Sequence, residues 1–108
     1  MNECFYHADD MKRLRKLRDL KPELFKSFVD FDAKVFEAGA LDIKTKELIA
    51  VATAHITQCS YCIDAHTKRA KKAGAADAEI AESIFVAMAL RAGGSWAHSA
   101  IAMKALED

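Results

Sequence analysis

LDIKTKELIAVATAHITQCSYCIDAH, residues 41 to 66, decides the fold of this chain. Asp42 is placed to cap a helix that carries Glu47, Leu48, Ile49, Val51 and Ala52 as far as about Ile56. Thr57, Gln58 and Ser60 then form a polar break, and helical spacing resumes from Ser60 to Ala73, stopped by Gly74. Working outward, Asp77 caps a fifth helix through Ile80, Ile84, Phe85, Met88 and Leu90, which ends at Gly93 and Gly94. Ser95 caps a last helix to about Leu106. Upstream, Pro22 suits the first turn of a second helix whose Leu24, Phe25, Phe28, Phe31, Val35 and Phe36 form an apolar stripe, expected in the core, before Gly39. A first helix begins after Asp9 or Asp10, with Met11, Leu14 and Leu17 on one side and a solvated basic face on the other. The chain lacks alternating β-branched runs, so the expectation is all-α, about six helices.

The 108 residues fit one domain, 1–108, with its core over 22–106. Sixteen basic and sixteen acidic side chains cancel, which argues against nucleic acid or an anionic membrane as partner. The first residues lack an apolar leader, and no apolar run approaches the roughly 18 residues of a membrane span, so the expected location is the cytoplasm. LIAVATAHI and IFVAMAL are apolar nearly all round, more than a surface helix of so small a monomer needs. Contacts between subunits are expected to cover the excess, and Trp96 and His98 on the last helix read as packing or interface residues.

Three cysteines in a chain without an export signal do not make a disulfide scaffold, so each thiol has to be read by its surroundings. On a helix Cys59 and Cys62 lie one turn apart and His66 one turn beyond Cys62, so the three can converge. A dithiol at this spacing can close on itself, and an imidazole nearby can take or share a thiol proton. Zinc on Cys59, Cys62, His66 and His55 is a competing reading, but structural zinc usually joins two separated ligand pairs and a second CxxC is missing. Two inert apolar cysteines are the third. His55 otherwise reads as a packing or hydrogen-bonding residue and Cys4 as an incidental thiol.

Glu47 enters only if the chain turns. On an unbroken helix it would sit roughly 18 Å from Cys59 along the axis, too far to exchange protons. A reversal at the polar break would bring His66 back towards it, where a carboxylate behind the imidazole would orient it and raise its basicity. Without that reversal Glu47 is a first-turn glutamate favoured by the helix dipole.

The pattern Glu47-x11-Cys59-x2-Cys62-x3-His66 resembles the active-site signature of the AhpD-like alkylhydroperoxidases of the carboxymuconolactone decarboxylase family. Residues 41 to 93 look like the family's core domain, and the Phe-rich segment before them is similar to the lead-in of single-domain members. The resemblance implies an all-helical homo-oligomer, a trimer or hexamer, without a bound cofactor or metal. It implies a thiol peroxidase in which Cys62 attacks the hydroperoxide, Cys59 resolves it as a disulfide, and His66 with Glu47 relays protons. A dithiol, lipoyl-bearing in the best-known members, would reset the pair. A helix starting near Ser60 favours the Cys59 thiolate through its dipole, yet His66 one turn away favours Cys62, and a base within reach outweighs a partial charge. Tyr61 stands where the best-known AhpD proteins have a relay histidine, and a phenol is a poor shuttle at neutral pH, which implies a shorter relay here. Decarboxylation is not implied, because the namesake members generally lack the cysteine pair. Ile56, Ile63 and Phe85 offer apolar walls for an organic hydroperoxide. The alternatives from other classes are a redox-sensing protein whose CxxC oxidises once as a switch, and a zinc-binding module.

Overall fold

A computed structural model describes residues 7–108, and all of its regular structure is helical. Cys4 lies outside the described residues. A 3₁₀ helix, Ala8–Arg13, starts where the His7 ring accepts a hydrogen bond from the Asp9 amide, and it runs directly into α1, Leu14–Leu20. α2 spans Pro22–Val35, with proline in the first turn, where a missing amide costs nothing. α3 spans Ile43–Thr57, and the Asp42 carboxylate caps it by accepting from the Thr45 amide at 2.7 Å. α4 spans Ser60–Lys72, and Gly74 follows with φ of 97°, the left-handed conformation that glycine takes without strain.

α5 spans Asp77–Ala105 without interruption, so the expected stop at Gly93 and Gly94 and the separate last helix are not found. A glycine ends a helix when it takes a positive φ, and Gly74 is the one described glycine that does. Gly93 and Gly94 keep helical torsions, and the good helix formers on both sides carry the hydrogen-bond ladder through them at about 1 kcal/mol each relative to alanine. Glu79 accepts from the Ala76 amide at 2.9 Å at the start of this helix, one residue earlier than the expected Asp77 cap.

α3 is the centre of the packing, laid against α4 on one side and α5 on the other. Val51 of α3, Ala70 of α4, Ala75 and Ile80 form the buried cluster, closed by Leu48 and Ile84. Lys44 of α3 pairs with Glu79 of α5 at 2.8 Å on the surface of that contact.

The aromatic stripe of α2 is not in this core, contrary to the expectation from its spacing. Leu24, Phe28 and Phe31 are 71%, 62% and 68% exposed. Helical spacing tells that a face is to be covered and says nothing of what covers it. α2 reaches the α3–α4 pair through its C-terminal end, where Lys46 of α3 donates to the carbonyls of Val35 and Glu37 at 2.7 and 2.5 Å. The remainder of α2 and the far half of α5, with Trp96 81% exposed, extend away from the core. The radius of gyration, 18.0 Å, compares with about 13 Å for a compact chain of this length. No helix of the described residues is long and apolar enough to cross a membrane.

Candidate active site

The turn between α3 and α4 builds the site. Gln58 sits in the left-handed region, φ 59° and ψ 41°, and its amide and that of Cys59 both donate to the Ala54 carbonyl. This closes α3 and reverses the chain within two residues, as a left-handed residue at a helix end does. Cys59 then serves as the N-cap of α4, its sulfur accepting from the Cys62 amide at 3.2 Å. Cys59 and Cys62 are joined as a disulfide, with Cα atoms 5.2 Å apart, inside the ordinary range for such a bond.

The reversal lays α4 back over α3 and brings together what the sequence keeps apart. Glu47, 4% exposed, puts Oε1 2.6 Å from Nδ1 of His66. The geometry therefore selects the paired role for Glu47 over that of an unpartnered first-turn carboxylate. With Nδ1 engaged by Glu47, Nε2 is the nitrogen that His66 has left for exchange with a neighbour. The ring of Phe36, just past the end of α2, stacks on the imidazole with centroids 5.0 Å apart and planes 22° from parallel.

A cavity of about 510 Å³ opens beside this arrangement. Cys62 and His66 line it, together with Val35, Phe36, Leu41 and Ile49 on its apolar walls and Asp32 and Lys46 as its charged groups. Cys59 and Glu47 do not line it, so of the pair Cys62 is the cysteine that borders the cavity, while the Cys59 sulfur caps α4. The expected walls Ile56, Ile63 and Phe85 are elsewhere, and Phe85 is largely exposed.

His55 turns Nδ1 to the Val51 carbonyl at 2.7 Å, away from a ligand role and in keeping with a hydrogen-bonding one. Among the described residues no group of three or more His, Cys, Asp or Glu side chains is arranged to share a metal ion. Tyr61 approaches the His7 carbonyl at 3.5 Å, which carries the N-terminal segment towards the start of α4. Lys46, Phe36 and the walls Val35, Leu41 and Ile49 are among the site residues that the sequence does not single out. Phe36 was visible as an aromatic at the end of α2, but its spacing assigned it to the stripe, and only the fold shows that it leaves the stripe to meet His66.

The fold and the site define an all-helical protein with a CxxC disulfide at a helix N-terminus, backed by a buried glutamate paired with a half-buried histidine. The chain belongs to the carboxymuconolactone decarboxylase family, whose sequence model matches residues 22–105. It is 46% identical over 82 residues to uncharacterized protein 4 in the cox locus of Paracoccus denitrificans, covering 76% of this chain and 74% of that one. A carboxymuconolactone decarboxylase family protein of Legionella pneumophila, solved in its apo form, superposes with a TM-score of 0.71 at 37% identity, covering 92% of this chain and 88% of that chain. A family member from Thermotoga maritima, for which involvement in antioxidative response has been suggested, gives 0.57 at 30% identity over 74% of this chain and 92% of its own.

Proposed function

We propose that this protein is a thiol-dependent peroxidase that reduces organic hydroperoxides through Cys59 and Cys62. The observation that carries the reading is the Glu47–His66 hydrogen bond set one helical turn from Cys62, with Cys62 and His66 lining the same apolar-walled cavity. His66 takes the Cys62 proton, and the thiolate attacks the terminal oxygen of the hydroperoxide. The O–O bond breaks, the alkoxide leaves with the proton from His66 as an alcohol, and Cys62 becomes a sulfenic acid. Cys59 then attacks the Cys62 sulfur, and the hydroxyl departs as water while the disulfide forms. A dithiol reductant, lipoyl-bearing in the best-known relatives of this type, exchanges with the disulfide and returns both thiols. The antioxidative role suggested for the Thermotoga maritima relative is in keeping with this chemistry.

The same reading takes the protein to be a homo-oligomer, a trimer or hexamer. The uncovered faces of α2 and α5 and the large radius of gyration support it, because a chain with Phe28, Phe31 and Trp96 in water forgoes much of its apolar burial. Catalytic cycling is the test of the enzyme reading: cumene hydroperoxide is supplied with dihydrolipoamide, and alcohol is counted per protein chain. Many alcohols per chain are expected. One per chain, with the disulfide left unreduced, identifies a one-shot redox switch and overturns the peroxidase.

A further inference from the structure

The stack between Phe36 and His66 joins an element outside the α3–α4 pair to the centre of the site. Phe36 follows the last turn of α2, and that end is fixed by Lys46, which ties the carbonyls on either side of Phe36 to α3. The ring is thus held from two directions and lies nearly parallel to the imidazole at 5.0 Å. An imidazole on two rotatable bonds, anchored by one hydrogen bond at Nδ1, still turns about that bond unless something occupies its face. Phe36 occupies it.

We propose that Phe36 is a positioning residue for His66, its stacked ring fixing the imidazole plane in which Nδ1 meets Glu47 and Nε2 is presented to the cavity beside Cys62. The inference rests on the relay reading given under the proposed function and adds to it the residue that sets the relay's geometry. The titratable and charged groups at the site are Glu47 and Lys46 from α3, Cys62 from α4 with Cys59 at its N-cap, and Asp32 from α2. Of these, Glu47 bonds the ring, and Lys46 is engaged with the α2 carbonyls. A ring that turns away from this plane leaves the Cys62 thiolate without its partner, so the thiolate forms at higher pH.

The test is the pH dependence of Cys62 alkylation by iodoacetamide in the intact reduced protein carrying Cys59→Ser, mapped by peptide mass. Phe36→Leu, Phe36→Met and Phe36→Tyr are compared, with His66→Gln as the reference for a lost relay. Phe36→Leu and Phe36→Met are expected to slow alkylation at neutral pH about 3- to 10-fold, the size of an aromatic pairing effect, and to move the midpoint upward. Phe36→Tyr, which keeps the stacked ring, is expected to return to within about 2-fold of the parent. If His66→Gln shifts the profile and neither Phe36→Leu nor Phe36→Met does, the positioning role is overturned while the relay stands. If His66→Gln leaves the profile unmoved, the relay itself fails and the positioning role with it. A loss of thermal stability in the Phe36 variants with an unchanged profile marks a purely structural residue and also overturns the proposal.

Discussion

Oε1 of Glu47 and Nδ1 of His66 stand 2.6 Å apart across 19 residues of sequence, and the left-handed turn at Gln58 is what closes that distance. Neither residue is on the cysteine pair itself. In the proposed relay they act together, because a carboxylate at one ring nitrogen fixes which nitrogen is left to act.

Glu47→Gln keeps the size of the side chain and removes its charge. Oxidation of the reduced protein by an organic hydroperoxide is expected to slow on the order of 10²-fold, the low end of what a positioned acid–base group contributes. Stopped-flow tryptophan fluorescence or rapid-quench mass analysis reads the rate. A change under 3-fold removes Glu47 from the relay.

Gln58 is the one described residue other than glycine with a positive φ, a conformation that costs an L-residue roughly 1–2 kcal/mol. Gln58→Gly relieves that strain and is expected to raise stability by about 1 kcal/mol after the added chain entropy of glycine is counted. Gln58→Val, branched at Cβ, moves the other way. Urea unfolding of the reduced and oxidised forms measures both, and a destabilised glycine variant contradicts the account of this turn.

Three surface carboxyls are held below their ordinary range: Asp42 by its hydrogen bonds with Thr45, Glu79 by the Ala76 amide and then Lys44, and Asp77 by Lys71. Each therefore contributes stability that is complete above the unfolded carboxylate pKa of about 4 and lost as pH falls through the lower folded value. The melting temperature is expected to stay level from pH 7 to about 5 and to decline below about 4. Asp42→Asn keeps a cap acceptor without the charge, so its acid decline is expected to be shallower in circular dichroism melts. An equal slope rules out Asp42 as a contributor.

The exposed face of α2 is the most direct handle on assembly. Phe28→Glu and Phe31→Glu put charges where a second copy is expected to pack, and each is predicted to weaken association about 10-fold or more, since burial of one such ring is worth about 1.5–3 kcal/mol. Sedimentation velocity against concentration reads this. A wild-type chain that sediments as a monomer at micromolar concentration contradicts the oligomer reading.

Much of the fold is legible because local signals carry it: Asp42 before an apolar run, Pro22 in a first turn and Gly74 after α4 each announce a helix end, and each stands where expected. Gly93 and Gly94 mislead because a glycine pair signals a stop only when the backbone takes the left-handed form, which sequence does not record. The Phe stripe of α2 misleads because spacing reports an apolar face and not its partner, and within one chain that face stays open. In the site, the CxxC-x3-His spacing puts Cys62 and His66 on α4 and Cys59 at its start without any tertiary knowledge. For Glu47 the polar break at Thr57, Gln58 and Ser60 marks where a reversal can fall but not that Gln58 takes the left-handed form that makes it, and Phe36 and the walls Val35, Leu41 and Ile49 needed the placement of α2 against α3.

The central claim is that Cys62 reacts first and Cys59 closes the disulfide. Intact mass and peptide mapping of the fully reduced protein after one equivalent of organic hydroperoxide, beside Cys59→Ser and Cys62→Ser, test it most directly. The account predicts loss of two hydrogens mapped to Cys59 and Cys62 in the wild type, a sulfenic acid trapped by dimedone at Cys62 in Cys59→Ser, and neither product in Cys62→Ser. Both thiols still reduced in the wild type, or a sulfenic acid on Cys59 in the Cys62→Ser variant, would contradict it.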